Sequence, residues 1–268
     1  MGKRFICHVM LPREDLLKGV ENRESVARII DQADQAIKTW EVVLTDFLSP
    51  PEIIETQQSF QRLTDVQLLP WGGYPQAERQ RLAIARSEIP LDLSQVALTA
   101  LDIQGNFLFD PASHRDFLGA ILGTGIVRDK VGDIVVMGER GAQAIVVPDL
   151  AEFLELQLTQ VRSVPVKTQR IELSELKIRE PKKKELTTVE ASLRLDAVAS
   201  AGFGMSRSKM ADLITAGDVR VNWKEITQSS YQIKTGDLIA IRGKGRVEVG
   251  EVAITKKDRY RVQLTRFI

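Results

Sequence analysis

Residues 192–222, SLRLDAVASAGFGMSRSKMADLITAGDVRVN, run through two short amphipathic stretches and into a strand. Ser192-Leu-Arg-Leu-Asp196 leads a helix with Leu195, Val198 and Ala199 on one face, stopped by Gly202 and Gly204. Ser206 is placed as the N-cap of a second helix, with Met210, Leu213 and Ile214 facing inward and Gly217 ending it. Val219-Arg-Val-Asn222 follows as a strand. Further on, Gly236-Asp237 turns into Leu238–Arg242, and Gly243-Lys-Gly-Arg246 reads as a flexible basic loop.

The polar residues of this stretch suit a polyanion. Arg207 and Lys209 fall in a helix's first turn, where backbone N–H groups and the helix dipole favour phosphate. Arg194, Arg220, Lys224, Arg242, Lys244 and Arg246 complete one cationic face if the two helices and the hairpin are adjacent. Trp223, in the turn between Asn222 and Lys224, is placed to stack on an unpaired base. Any one of these cations alone is most simply a solvated surface residue. The set is different, because the packing residues occupy the other helix faces.

Charge follows the same division. The 268 residues carry a formal net charge of +1, which by itself argues against a nucleic-acid partner. Splitting the chain at Pro181-Lys-Lys-Lys184 changes that: residues 182–268 hold 17 Lys and Arg against 10 Asp and Glu, a net of +7, and residues 1–181 have a net of −6. An acidic body carrying a basic module is the expected organisation.

Upstream, residues 13–69 read as helical. Val26, Ile29, Ile30, Ala33, Ile37 and Trp40 recur at helical spacing, and Ser49 caps a helix that begins Pro50-Pro51-Glu52. Trp71-Gly-Gly-Tyr-Pro75 is a turn cluster. From there the pattern alternates. Strands are expected at Arg81–Arg86, Val96–Ile103, Asp133–Met137, Ala142–Val147 and Val161–Leu173, with helices from His114 to Leu122 and from Pro148 to Leu158. Two helices laid against four or five strands predict an α+β sandwich of ferredoxin-like type. Ser174–Glu185 reads as a charged linker. The single cysteine, Cys7, excludes an internal disulfide and a Cys-based zinc site, and beside His8 it is expected to be a small buried residue. No run approaches 18 apolar residues, so no membrane insertion is expected, and the N-terminus does not read as a signal peptide.

The ordered set Arg194-Leu-Asp196, Gly202…Ser206-Arg207, Leu213-Ile214…Gly217-Asp218-Val219, Val221-Asn222 and Gly236-Asp237 resembles the ribosomal-protein S-four-type RNA-binding domain, the alpha-L motif. The resemblance implies that the helix pair around Arg207 docks on structured RNA, with Arg194, Ser206, Arg207, Lys209 and Asn222 at motif positions. Trp223 departs from the pattern, which commonly has Gly after the Asn. Trp71-Gly-Gly-Tyr-Pro…Ala77-Glu-Arg79, His114–Ile126 and Asp129…Gly132-Asp133 extend the resemblance over nearly the whole chain to the YlmH-like family, and especially to its cyanobacterial and plastid branch of photosystem II S-four domain proteins. The resemblance implies a helical N-terminal domain (1–74), an RRM-like α+β domain (75–178) and an S-four-type domain with C-terminal strands (179–268). It also implies rRNA or tRNA as partner, the large ribosomal subunit as a place of action, and photosystem II-related proteins as alternative partners. The setting is the cytoplasm, or the plastid stroma after removal of a transit peptide.

An enzyme is the competing class. Pseudouridine synthases carry this module upstream of a separate catalytic domain, whereas here it is C-terminal, so Asp196 is expected to orient Arg194 or cap its helix. No His-x-Gly-His or Lys-Met-Ser-Lys-Ser run points to a synthetase; Ser208-Lys-Met210 is a fragment. Ser113, His114 and Asp116 fall within four residues at a helix start and are expected to point apart, which disfavours a triad; His114 is expected to be structural, and Arg115 and Asp116 exposed. With two histidines in the chain a His-based metal site is not expected. Gly119…Gly123-Thr-Gly125 follows a helix and therefore presents carbonyls, not a phosphate cradle; Arg128 and Lys130 beyond it offer a second RNA contact. The expectation is a non-catalytic RNA-binding protein without cofactor or metal, with an RNA-modifying enzyme using the central domain, or a photosystem II assembly factor, as alternatives.

Overall fold

The computed structural model describes residues 11–178 and 182–267. Two compact units divide the chain, Met1–Ile178 and Arg179–Ile268. Cys7 and His8 lie outside the described residues.

In the first unit, α1 (Arg13–Leu16) precedes α2 (Arg23–Thr39), whose Val26, Ile29, Ile30 and Ala33 are fully buried, as their helical spacing requires. Trp40 does not extend that stripe. It ends the helix in the left-handed conformation at φ 59° and is exposed, with the Arg86 guanidinium 3.9 Å over its ring. The expectation of an all-helical segment from 13 to 69 needs a further correction, because β1 (Val43–Leu44) and β2 (Val66–Trp71) flank α3 (Pro50–Phe60). Both strands are half covered on each side, so they lack the clean alternation that betrays a strand. They pair antiparallel with β3 (Arg81–Arg86) in the order β1-β3-β2, and β3, read as the first strand of the alternating region, completes this sheet. Ser49 does cap α3: its N–H and its hydroxyl donate to Glu52 Oε2 at 2.7 and 2.6 Å.

The second sheet follows with β4 (Thr99–Gln104), α4 (His114–Gly123), β5 (Val131–Val136), β6 (Gly141–Val146), α5 (Ala151–Gln157), β7 (Gln160–Val161), β8 (Val164–Pro165) and β9 (Lys167–Ile171). The order β5-β6-β4-β9, all antiparallel, with helices between β4 and β5 and between β6 and β9, is the ferredoxin-like arrangement. Leu101, Ile103, Phe117, Ile121 and Leu154 form the core under the helices. Val161–Leu173 is not one strand. Arg162 at φ 54° turns β7 back onto β8 before β9 begins. On the other sheet face, Phe47, Tyr74, Leu98 and Leu176 cover Ile145 and Val147. Residues of the expected linker therefore belong to the sheet: Gln143 donates to the Glu175 carbonyl at 3.3 Å and accepts from the Lys177 N–H at 2.6 Å.

Two of the family-like motifs of this unit, Trp71–Arg79 and Asp129…Asp133, form one fastening. Asp133 Oδ2 accepts from the Tyr74 hydroxyl and the Glu78 N–H, both at 2.7 Å, and Oδ1 accepts from the Arg79 N–H at 3.1 Å. Arg79 in turn donates to the carbonyls of Val131 and Phe47 at 3.1 and 2.9 Å and sits 3.6 Å from Asp129. Gly132 is required because a Cβ there would stand 2.6 Å from the Phe47 ring.

The second unit opens with β10 (Lys183–Glu190), so the end of the expected linker is a strand. It continues through α6 (Leu195–Phe203), α7 (Arg207–Thr215), β11 (Val219–Val221), β12 (Lys224–Glu225), β13 (Leu238–Ile241), β14 (Gly245–Ile254) and β15 (Tyr260–Phe267). Six strands form one antiparallel sheet, β10-β15-β14-β13-β11-β12. Leu195, Val198, Met210 and Ile214 of the helices pack on Val219, Ile239, Val247 and Leu264 of the sheet. Gly202 does not stop α6. It lies within the helix, where a Cβ would be 2.8 Å from Val247 Cγ1, so its absence lets the helix seat on β14. Gly204, at φ 65°, is the stop.

Candidate nucleic-acid interface

Asp196 organises the corner where α6 meets α7. Its side chain is 8% exposed and accepts two guanidiniums: Arg194 Nε and Nη2 donate to Oδ1 and Oδ2 at 3.1 and 3.2 Å, and Arg207 Nε and Nη2 donate to Oδ2 and Oδ1, both at 3.1 Å. Burial pushes the Asp196 carboxyl up, but the hydrogen bonds and charges of the two arginines outweigh it and hold the group below the usual carboxylate range. Bidentate, charge-assisted contacts of this kind fix the planes of both guanidiniums. Their outer edges remain accessible, with the side chains 37% and 54% exposed. The role expected for Asp196, orienting Arg194, is present, and Arg207 is held by the same carboxylate.

Ser206 stands at the N-cap of α7, its hydroxyl accepting from the Lys209 N–H at 3.3 Å. Lys209 is exposed in the first helical turn. Arg194, Ser206, Arg207 and Lys209 are therefore one cluster.

The remaining expected residues do not join that cluster on a single face. Val219 and Val221 pack toward the helices, so Arg220 between them points to the opposite side of the sheet. The register Arg220↔Ala240↔Arg246↔Phe267↔Lys183 carries that side across the sheet. On it the Arg246 guanidinium lies 6.0 Å from the centre of the Trp223 ring, and Lys183 Nζ lies 5.8 Å from that of Phe267. Lys183 and Phe267 are additions that periodicity near the C-terminus could not supply, since only strand pairing brings residue 267 beside 183. The one cationic face thus becomes two, with Lys224 in β12 and with Arg242 and Lys244 in the β13–β14 turn, all three exposed. That turn is not a loose basic loop: Arg246 is in β14, and Gly245 at φ 91° approaches the Phe267 carbonyl too closely for any Cβ.

Asn222 is held by the fold: its Nδ2 donates to Asp237 Oδ1 at 2.8 Å and its Oδ1 accepts from the Leu238 N–H at 2.9 Å, while the residue stays exposed. Asp237 Oδ2 accepts from the Lys234 N–H at 2.7 Å, which explains why Asn222 and Gly236-Asp237 belong to one motif. Asn222 and Trp223 have φ of 49° and 70°, the geometry of a tight two-residue hairpin turn between paired Val221 and Lys224. The left-handed second position is where Gly is least strained, and Trp223 adopts it nonetheless.

In the first unit the suspected chemistry resolves into scaffolding. Asp116 accepts from the N–H and hydroxyl of Ser113 at 2.8 and 2.6 Å, a capping box for α4, and is half-buried rather than exposed. His114 is exposed beside it. Arg128 donates to the carbonyls of Val131 and Gly132, and desolvation, with Arg79 nearby, pushes its pKa down to about 10. Lys130 pairs with Asp46 at 2.6 Å. Arg128 is thus tied into the fold, whereas the Lys130 side chain, paired with Asp46, remains 39% exposed. Among the described residues no group of three or more His, Cys, Asp and Glu side chains could hold a metal ion, and no helix is long and apolar enough to cross a membrane.

Family models match residues 21–89 (YlmH, N-terminal), 93–175 (putative RNA-binding domain in YlmH) and 193–239 (S4 domain). Over 242 residues, 87% of this chain and 93% of the relative, the sequence is 38% identical to the Ribosome-associated protein quality control protein P2 of Bacillus subtilis (strain 168). The chain belongs to the YlmH family. Its S4 region is also 44% identical over 55 residues to the Small ribosomal subunit protein uS4A of Clostridium novyi (strain NT), 20% of this chain and 27% of that protein. The YlmH fold extends to the solved Cell division protein ylmH from Streptococcus pneumoniae, with a TM-score of 0.52, 20% identity, and 60% of this chain and 96% of that one covered. Within this YlmH protein the S4 match runs from just before Arg194 to Ile239, and so includes the Asp196 clamp, the cap of α7 and the Asn222–Trp223 turn.

Proposed function

We propose that this protein is a non-catalytic RNA-binding factor that docks on structured rRNA or tRNA at the large ribosomal subunit through its C-terminal unit. The observation that carries the reading is the Asp196 clamp. It presents two guanidiniums with fixed planes and accessible outer edges, beside the exposed Lys209 at a helix N-terminus. Phosphates of a folded RNA are the ligand such an array fits, because guanidinium pairs match phosphate geometry. Trp223 and Arg246 on the other sheet face, with Lys224, Arg242 and Lys244 at the hairpin ends, supply further backbone contacts and one stacking surface. The similarity to a protein named for ribosome-associated quality control supports the ribosome as the place of action, in the cytoplasm.

Affinity purification of the tagged full chain, with RNA sequencing and protein mass spectrometry of what accompanies it, tests the reading. Large-subunit proteins and rRNA or tRNA are the expected companions. Thylakoid subunits without ribosomal ones would support instead the assembly role implied by the photosystem II resemblance. A nucleoside altered on incubation with total RNA would overturn the non-catalytic reading.

A further inference from the structure

We infer that the hairpin joining β14 to β15 is a second RNA-binding element, which grips the phosphate rims of a double-stranded RNA segment. The inference rests on the docking reading above for the class of partner, and adds to it a site outside the S4 match, which ends at Ile239.

The turn is fixed by its own hydrogen bonds. The Thr255 N–H donates to the Arg259 carbonyl at 2.7 Å, the Asp258 N–H donates to the Thr255 carbonyl at 3.1 Å, and the Thr255 hydroxyl accepts from the Arg259 N–H at 3.2 Å. Asp258, at φ 53°, closes this three-residue loop in the left-handed conformation, which Asp adopts more readily than most residues. Lys256, Lys257, Arg259 and Arg261 are all exposed, and among the described residues their side chains make no hydrogen bond or ion pair. Asp258 is the one acid among them. The fold thus holds four cations close together against their mutual repulsion and uses none of them. A polyanion offsets that repulsion.

Position ties the hairpin to the interface already described. Glu190, at the end of β10, pairs with Tyr260 at the root of the hairpin, and Arg194 follows four residues later. At most about 14 Å of chain therefore separates that root from the Asp196 clamp. Among the described residues β13 pairs with Gly245–Glu248 and no farther along β14, so the hairpin projects past it at the end of the sheet where α6 begins.

The chemistry favours a duplex over a single strand. Single strands are held by rings on which bases stack, and the one ring of this hairpin, Tyr260, packs on the core of the second unit. Lys256 and Lys257 lie on the β14 side of the turn, Arg259 and Arg261 on the β15 side. Cations on both flanks of a ribbon match two phosphate rows facing one another, as they do across the deep, narrow major groove of A-form RNA. Such contacts position the protein without reading bases.

The test is fluorescence anisotropy of the full chain with a blunt RNA duplex of about 20 base pairs and with a single strand of the same length. Lys256→Gln, Lys257→Gln and Arg259→Gln together should weaken duplex binding about tenfold and make its log–log salt slope shallower by about 2–3, at an unchanged melting temperature. Neutralising as many exposed cations in the first unit, with Arg28→Gln, Lys38→Gln and Arg62→Gln, should change duplex affinity by less than about twofold. Asp258→Gly removes the acid and suits the left-handed position, so it should tighten duplex binding with a melting temperature level or higher. Three results would overturn the proposal: duplex binding by the hairpin variant within about twofold of wild type, an equal loss for the single strand, or an equal loss in the first-unit variant. So would a preference for phosphatidylglycerol vesicles over RNA. Lys209→Glu reads the clamp separately: wild-type binding by that variant, beside a loss in the hairpin variant, would remove the clamp and keep the hairpin.

Discussion

At the scale of single residues, the candidate interface depends on side chains whose partners decide what they can do. Arg207 illustrates the point: on exposure alone, Arg207→Glu would be a clean probe of RNA affinity, but here it would place a second carboxylate beside the buried Asp196 and lower stability as well. Lys209→Glu is the cleaner probe and should lower RNA affinity while the melting temperature stays level or rises, because Glu at this position completes a capping box with Ser206. Asp196→Asn should cost about 1–3 kcal/mol of stability, since its arginine partners are partly exposed and solvent screens them. The Asp196 carboxyl is held below its ordinary value of 3.8, so its contribution is complete above that value and is lost as pH falls through the lower, folded-state one. Thermal melts of wild type and Asp196→Asn should therefore differ by a constant amount from neutral pH to about 5 and converge below about 4. Trp223→Gly relieves a left-handed non-glycine position, worth on the order of 1 kcal/mol, and removes the stacking ring. A higher melting temperature combined with weaker RNA binding is the expected result. Equal RNA affinity would remove Trp223 from the interface.

At the scale of elements, helix seating controls where the arginines stand. Gly202 lies against Val247 and Leu264, so Gly202→Leu forces α6 off β14 and should cost about 3 kcal/mol or unfold the second unit. Urea melts would register the loss, and a stability change below about 0.5 kcal/mol would contradict the packing described. Most of these elements were legible beforehand. The N-caps at Ser49 and Ser206, the α4 and α5 helices and the strands of the β5–β6 pair follow from local spacing and capping residues, whereas the Ser113–Asp116 capping box reverses the expectation that those side chains point apart. β1 and β2 were not, because half-covered strands carry no alternating signal. The Asp196–Arg207 contact and the Lys183–Phe267 neighbourhood were hidden for another reason: they are tertiary pairings, and no local pattern reports which of several cations a carboxylate will hold.

At the scale of the whole molecule, the near-neutral total conceals a basic C-terminal third and an acidic remainder, and that division was readable from the sequence alone. How the cations distribute over two sides of one sheet was not readable, because it depends on strand register. Charge of this kind acts through counterion release, so binding through the second unit must weaken steeply with salt. Co-sedimentation of the full chain with large ribosomal subunits across a salt series is the most direct measurement of the central claim. The expected result is association whose log–log slope against salt is about −3 to −5, as four to six phosphate contacts would give, and which becomes shallower in the Lys209→Glu, Lys244→Glu double variant. A slope near zero, or undiminished binding by that variant with its fold intact, would contradict it.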